Sequence, residues 1–558
     1  MLHHLQHIAD LVEICRSKGI QQVVVSPGSR NAPLIKLFAS NNFFKLHSIV
    51  DERSAAFYGL GIALATQQAV VLVCTSGTAA LNYAPALAEA YYQGVPLIAI
   101  TADRPETLID QQDNQTIRQI NVYQNYIKES IHLHQPLHNT DELRKLHHAI
   151  HQIIDNALSG IKGPVHINVP IAEPLYVEIP LATANIKPCI PKSEQAVNAT
   201  LLVESWKTAQ RKLIICGEAT PNPKLNNIVN HLATIPGVVV LAEPISNLNG
   251  SQVISTIDRV MMLIETFQMS DFQPDLLISF GGPIVSKRLK QWLQKQPGLT
   301  HYRISEAEDQ IDTYQNLSGT IIGQTDKVLQ FLLETETFAN TAFALNWKSA
   351  QHTSELRHNA FITQAAYSEL KAIAYAINVS KSDTILHLGN STPVRFGQLF
   401  NAKKFDAVFA NRGVSGIDGC VSTAAGVASQ SNKINLLIVG DLSFVYDSNS
   451  LWNKNLGANF KIVVINNGGG GIFSLLPSLS EFEGFEEYIE TNHPVNIQKI
   501  AEAFGVKYFS CQNEQQLHKV FRTFLMWATT PALFEIITPK TINAQVFKKY
   551  VDFIKQDH

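Results

Sequence analysis

Short runs of β-branched and other apolar residues recur along most of the chain. Each is stopped by glycine, proline or an oxygen-bearing side chain, and the runs alternate with stretches of helical spacing. Such alternation is the pattern of parallel sheets covered by helices on both faces. Strands are read at 21–27, 46–52, 69–77, 96–105 and 163–170, then at 211–218, 237–244 and 275–282, and finally at 383–390, 407–413, 434–443, 460–467 and 532–539. The stretch from about 176 to 200 carries prolines and no long periodic pattern, which reads as a linker. A chain of 558 residues is too long for one hydrophobic core. The expected fold class is therefore α/β, with three consecutive domains of mainly parallel sheets flanked by helices. Their boundaries are 1–180, a linker at 181–200, a middle domain at 201–345 and a last domain at 346–558, opened by a polar helical segment near 345–375.

Composition narrows the function classes. Apolar residues make up 45% and charged residues 16%, as in ordinary globular proteins. The formal charge is −3 and no lysine or arginine block occurs, so there is no electrostatic footprint for nucleic acid. Six cysteines (15, 74, 189, 216, 420 and 511) are scattered without a CxxC, which argues for reduced thiols in a cytoplasmic protein rather than a disulfide framework or zinc site. The first 19 residues read as an amphipathic helix, not a signal peptide. No run reaches the ~18 apolar residues of a membrane span. His132, His134, His138, His147, His148 and His151 show neither an HExxH pattern nor a cysteine partner, so they are read as surface or core histidines.

The segment LLIVGDLSFVYDSNSLWNKNLGANFKIVVINNGGGGIF (436–473) carries the strongest chemical signal. One apolar run is stopped by Asp441; 25 residues later a second is stopped by Asn466, Asn467 and four glycines. A right-handed βαβ crossover would bring Asp441 and Asn467 to the same sheet edge, where ligands of open α/β sheets bind. Two oxygen ligands and a backbone carbonyl from the glycine stretch make a partial shell suited to Mg²⁺, leaving positions for phosphate oxygens and water. The glycines let the backbone approach a diphosphate closely. Read singly, Asp441 is a helix cap and the glycines a loop; it is their combination that points to a cation.

This GD…NN spacing resembles the metal and diphosphate motif of thiamine diphosphate enzymes, with Leu442 where the motif usually has glycine. The resemblance implies a pyrimidine domain, a middle domain and a diphosphate domain, in that order. It implies Mg²⁺ or Mn²⁺ on Asp441, Asn467 and the Gly469 carbonyl. Leu442, Ser443, Gly470 and Ile472 would then touch the cofactor. A carboxylate must also hydrogen-bond the aminopyrimidine ring, and Glu52, in LHSIVDERSAAF, holds that position. Its plain alternative is an acid favoured by a helix N-terminus. Ile417, with Gly416 beside it, would support the bent cofactor from below.

The strings SPGSR, DERSAAF, TSGTA, TADRP, GPVHINVP, SKR and NRGVSGIDG together resemble one family within these enzymes, the synthases that join a succinyl unit to isochorismate in menaquinone biosynthesis. The resemblance runs from about residue 20 to 475. It implies decarboxylation of 2-oxoglutarate followed by 1,4-addition of the succinyl carbanion equivalent to isochorismate, and therefore a C–C bond-forming transferase. Ser29, Arg30, Arg104, Asn114, Gln115, Lys287, Arg288, Ser391, Arg395 and Arg412 would bind substrate. Phe473 would line the wall beside the reacting centre. Guanidinium forks suit substrates bearing several carboxylates. The family architecture implies a homodimer, or a dimer of dimers, with the site at the chain interface. Two rivals remain open at this level. Another thiamine enzyme would have less need of the arginines, and a non-catalytic Mg²⁺–nucleotide protein would leave Glu52 without a task.

Overall fold

The computed structural model describes residues 3–135, 137–183, 199–337, 340–475 and 483–556. It contains three sheets in which every strand pair is parallel. The first holds β1 (Gln22–Val25), β2 (Lys45–Ser48), β3 (Val70–Cys74), β4 (Leu97–Asp103), β5 (Ser130–His132) and β6 (Val165–Pro170) in the order β2-β1-β3-β4-β6-β5. The second holds β7 (Lys212–Cys216), β8 (Val238–Ala242), β9 (Leu276–Phe280), β10 (Thr300–Ser305) and β11 (Leu317–Ile322), ordered β11-β10-β9-β7-β8. The third holds β12 (Ile385–Leu388), β13 (Ala407–Phe409), β14 (Asn435–Gly440), β15 (Phe460–Asn466), β16 (Lys507–Cys511) and β17 (Ala532–Ile537), ordered β13-β12-β14-β15-β17-β16.

All thirteen expected strands occur, and β5, β10, β11 and β16 are additional. Three of these four are sheet edges, and β10 lies next to one. An edge strand is covered less completely, so residues such as those of KYFSC in β16 stay half exposed and no continuous apolar run marks them. The central strands β3, β7 and β9 are buried at every residue. Most of the expected linker lies outside the described residues, and its last residue, Thr200, opens the helix Thr200–Thr208.

The chain groups into two compact units. One contains Met1–Ser193 with Asn411–Asn432 and Tyr446–Gly457; the other contains Glu194–Ala410, Lys433–Val445 and Ala458–His558. In the first, one face of the sheet packs Val23, Val71, Ile98 and Ile167 against Ile150 and Ile153 of the helix Thr140–Leu158. The helix Glu52–Thr66 is buried from Ser54 to Leu64 and packs on the helix Cys420–Ala428, all of whose residues are buried. A helix without a polar face must be enclosed, and its small residues allow a very close approach. A Cβ placed on Gly61 would lie 2.0 Å from the Thr423 carbonyl oxygen, and one on Gly426 would lie 2.1 Å from that of Tyr58.

In the second unit, one core runs across elements of both sheets. Leu277, Trp292 and Trp347 belong to it, as do Leu386, Ile438 and Phe534. The helix Thr341–Gln364 joins in through Trp347, whose indole N–H donates to the Phe272 carbonyl at 3.2 Å.

The glycine contact yields a direct test. Alanine is the better helix former by roughly 1 kcal/mol, yet at position 61 its methyl meets backbone that cannot turn aside. Gly61→Ala is expected to destabilise the first unit by about 1–3 kcal/mol, the range for overpacking, read by denaturant or thermal melting. A variant as stable as the parent would show that the helices are farther apart.

Candidate active site

Asp441 and Asn467 lie just past the ends of adjacent parallel strands, where Gly440 of β14 pairs with Ile465 of β15. The helix in the crossover between them is short. The crossover holds the helix Asp441–Tyr446 and the 3-10 turn Ser448–Leu451, because the segment NKNLGAN that follows is polar and turn-forming.

Asp441 is 2% exposed. Its Oδ2 accepts the Gly468 N–H at 2.8 Å and the Gly469 N–H at 3.0 Å, while Oδ1 accepts the Leu442 N–H at 2.7 Å. His493 Nε2 lies 3.4 Å from Oδ2. Burial raises the Asp441 pKa above the usual carboxylate range, against the pull of these N–H groups and His493. The carboxylate therefore shapes the loop after β15 as well as ending β14. Gly468 has φ +83°, and Gly469, at φ +156°, has the Glu490 carbonyl oxygen 2.6 Å from where a Cβ would sit. Only glycine fits there. Gly470 N–H donates to the same carbonyl at 2.6 Å.

The Asn467 carboxamide is divided in its partners. Its Oδ1 is buried without a hydrogen bond, while its Nδ2 donates to Glu369 Oε2 at 3.4 Å. A buried orphan oxygen is costly unless something absent from the protein satisfies it. The Asp441 carboxylate and the Gly469 carbonyl are the other oxygens expected as cation ligands; the Gly469 carbonyl accepts the Gly471 N–H at 3.0 Å. Ser443 is buried, and Ile472 and Phe473 are half-buried in the 3-10 turn Gly471–Leu475.

Glu369 carried no signal in the sequence. It opens the helix Glu369–Val379 behind the cap Ser368, an ordinary place for an acid. In the structure it is fully enclosed and its pKa is pushed up to about 7, chiefly by burial and further by Asp441, with Thr392 and Asn467 opposing. His493 is likewise legible only from the structure.

In the first unit Glu52 begins its helix, four residues after β2 ends. Burial, and then the neighbouring Asp51, raise its pKa. Both flanking residues are anchored. Asp51 caps the helix by accepting the Ser54 N–H at 3.1 Å and takes the Asn449 side-chain N–H at 2.7 Å. Arg53 donates to the Tyr446 carbonyl at 2.6 Å, with its guanidinium 4.7 Å over that ring. The loop 411–419, which carries Arg412, Gly416 and Ile417, is pinned by Glu89, another residue the sequence did not single out. Glu89 accepts the Gly413 and Val414 N–H groups at 2.6 and 2.8 Å, and burial raises its pKa, with Arg412 a minor opposing influence. Ile417 is 37% exposed, unlike the buried helix that follows it.

The expected substrate residues fall into three settings. Arg30, Arg104 and Arg288 are engaged. Arg30 is buried and donates to the Ile171 carbonyl at 2.7 Å and to Glu173 at 3.2 Å; Arg104 lies 3.6 Å from Asp113, and Arg288 lies 2.7 Å from Glu265. Ser29, Asn114, Gln115 and Arg395 are exposed, and Lys287 opens the helix Lys287–Gln294. Gln115 (φ 56°) and Ser391 (φ 77°) sit in the left-handed region that side chains seldom adopt, a form of strain that collects at functional sites. Arg288 and Arg395 both act on the buried Asp258, whose pKa is raised by burial and lowered in part by them.

His132 and His134 converge on Glu106, with Nε2 and Nδ1 at 2.8 and 3.0 Å from Oε1. Asn168, held by Asp103 at 2.7 Å, donates to His132 Nδ1 at 3.0 Å. The His132 proton is thereby placed on Nε2, where it serves Glu106 and leaves no lone pair for an ion.

Comparisons with known proteins cover nearly all of the chain. Residues 7–123 match the N-terminal TPP binding domain of thiamine pyrophosphate enzymes, 185–387 their middle domain and 389–536 their C-terminal TPP binding domain. A 2-succinyl-5-enolpyruvyl-6-hydroxy-3-cyclohexene-1-carboxylate synthase of Christiangramia forsetii is 37% identical over 98% of both chains. One from Flavobacterium johnsoniae is 37% identical over 97% of both, and one from Desulfotalea psychrophila is 38% identical over 96% of this chain and 99% of its own. With similarity of that extent on the three sheets described, the chain belongs to the 2-succinyl-5-enolpyruvyl-6-hydroxy-3-cyclohexene-1-carboxylate synthase family of thiamine pyrophosphate enzymes.

Proposed function

We propose that this protein decarboxylates 2-oxoglutarate and adds the resulting succinyl unit to isochorismate, forming 2-succinyl-5-enolpyruvyl-6-hydroxy-3-cyclohexene-1-carboxylate and CO₂ for menaquinone biosynthesis. The observation that carries the chemistry is the orphan Asn467 Oδ1 beside Asp441 and the glycine loop, in a chain similar to these synthases from end to end. When bound, thiamine diphosphate supplies the nucleophilic carbon and the electron sink that decarboxylation needs.

The chain's own residues bind, orient and move protons. Asp441, the Asn467 oxygen and the Gly469 carbonyl would hold Mg²⁺ or Mn²⁺, and the glycine loop, lacking side chains, would leave room for the diphosphate beside it. Glu52 holds a proton at the aminopyrimidine ring nitrogen, a task suited to a carboxyl group whose pKa burial has raised. Ile417 supplies an apolar support and Gly416 the room beside it. Arg30, Arg104, Lys287, Arg288, Arg395 and Arg412 receive the substrate carboxylates, with Ser29, Asn114, Gln115 and Ser391 as polar partners. Phe473 and Ile472 keep water from the reacting carbons. The blocks 1–180, 201–345 and 346–558 act as pyrimidine, middle and diphosphate domains. The working form is a cytoplasmic homodimer or dimer of dimers, with Glu52 of one chain serving the metal site of another. No described helix is long and apolar enough to cross a membrane.

The decisive assay supplies thiamine diphosphate, Mg²⁺ and 2-oxoglutarate, then follows isochorismate loss and product mass. Isochorismate left untouched while pyruvate is decarboxylated would assign the chain to a different thiamine reaction. Glu52→Gln is expected to lower turnover about 10²–10⁴-fold, the usual share of a positioned acid–base group, while still retaining cofactor and metal. Asp441→Ala is expected to abolish metal-dependent retention of thiamine diphosphate on gel filtration; unchanged retention would remove Asp441 from the metal site.

A further inference from the structure

A carboxamide is a two-ended ligand. Turning Asn467 by half a revolution about its last side-chain bond exchanges an oxygen that a cation attracts for an NH₂ that it repels. We propose that Glu369 is a positioning residue that fixes this choice, accepting Asn467 Nδ2–H so that Oδ1 faces the cation. The inference rests on the reading of Asp441 and Asn467 as metal ligands.

Three observations support it. The Asn467 oxygen has no protein partner, and its nitrogen has Glu369 Oε2 at 3.4 Å. Glu369 is met as an acceptor at both oxygens, by the Thr392 hydroxyl at Oε1 and by Asn467 at Oε2, and only the nitrogen end of a carboxamide can donate to it. Glu369 is itself held in place: Thr392 donates its hydroxyl to Oε1, and the Glu369 backbone N–H donates to Asn543 Oδ1 at 2.8 Å. The Asn543 NH₂ is fixed in turn on the Thr538 hydroxyl at 2.9 Å, so its oxygen is turned toward Glu369. Finally, Glu369 is 2% exposed, and among the described residues no lysine or arginine forms an ion pair with it. Burying a carboxylate without a countercharge is costly.

The test measures Mn²⁺ affinity by electron paramagnetic resonance on full-length, chelator-stripped protein saturated with thiamine diphosphate. Glu369→Leu is expected to weaken Mn²⁺ binding about 10–100-fold, as loss of an outer partner does. Glu369→Gln is expected to stay near the parent, because its oxygen accepts from Asn467 while its NH₂ meets a Thr392 hydroxyl that rotates to accept. Glu369→Asp keeps the charge but withdraws it by one methylene, and should weaken binding although it folds; it carries the test if the leucine variant does not. In an Asn467→Ala background, which should itself bind Mn²⁺ weakly, neither the leucine nor the aspartate substitution should lower affinity further. Unchanged affinity in Glu369→Asp, equal loss in Glu369→Gln, or an undiminished effect without Asn467 would each overturn the positioning role. Unchanged Mn²⁺ binding in Asn467→Ala alone would instead overturn the ligand assignment beneath it.

Discussion

A buried aspartate that must be satisfied organises the second unit's site. Asp441 stands at a strand end with almost no solvent, and its oxygens collect amide hydrogens from Leu442, Gly468 and Gly469. Removing a carboxylate from water costs several kcal/mol even after relaxation, so those amides have to be held in place. The ends of β14 and β15 are thereby coupled, and the loop is forced into dihedrals that glycine alone tolerates. Gly468 and Gly469 have separate reasons, the first a positive φ and the second the Glu490 carbonyl against which it lies. The first two of the four glycines thus fold the backbone around one charge, while Gly470 turns its N–H to the Glu490 carbonyl.

The first unit meets a different demand, that of presenting an acid at a helix start without letting the helix shift. Asp51 and Arg53 are tied to Asn449 and Tyr446, and farther along the helix Gly61 rests against the Thr423 carbonyl. Glu52 is fixed by its neighbours on both sides and by contact between backbones. Its raised pKa follows from that enclosure more than from any charge, Asp51 being the lesser cause.

The sequence disclosed these arrangements unevenly. Buried parallel strands announce themselves because both faces need apolar residues, so the interior strands were legible except β10, whose run THYRIS mixes polar residues with the apolar ones. β5, β11 and β16 were not, because an edge half in water can be built from polar residues. Asp441, Asn467 and the glycines were legible as a group through their spacing and through resemblance. Glu369, His493 and Glu89 were not, since each meets its partner across a long stretch of chain, from Glu369 to Asn467 or from Glu89 to Gly413. Such pairings leave no periodic trace; only the folded sheet edge brings them together. The thirteen strand placements also say nothing of how the guanidiniums are partnered.

In the proposed reaction that partnering bears on how substrate anions would be met. Arg30, Arg104 and Arg288 each already have a carboxylate close by, in Glu173, Asp113 and Glu265. An anion arriving at any of them enters an exchange rather than an empty trap: it must share or displace an acid that the protein itself provides. Charge alone gains little in such an exchange, since one carboxylate replaces another. What remains to discriminate is shape, that is, how well the newcomer fits the guanidinium fork compared with the resident side chain.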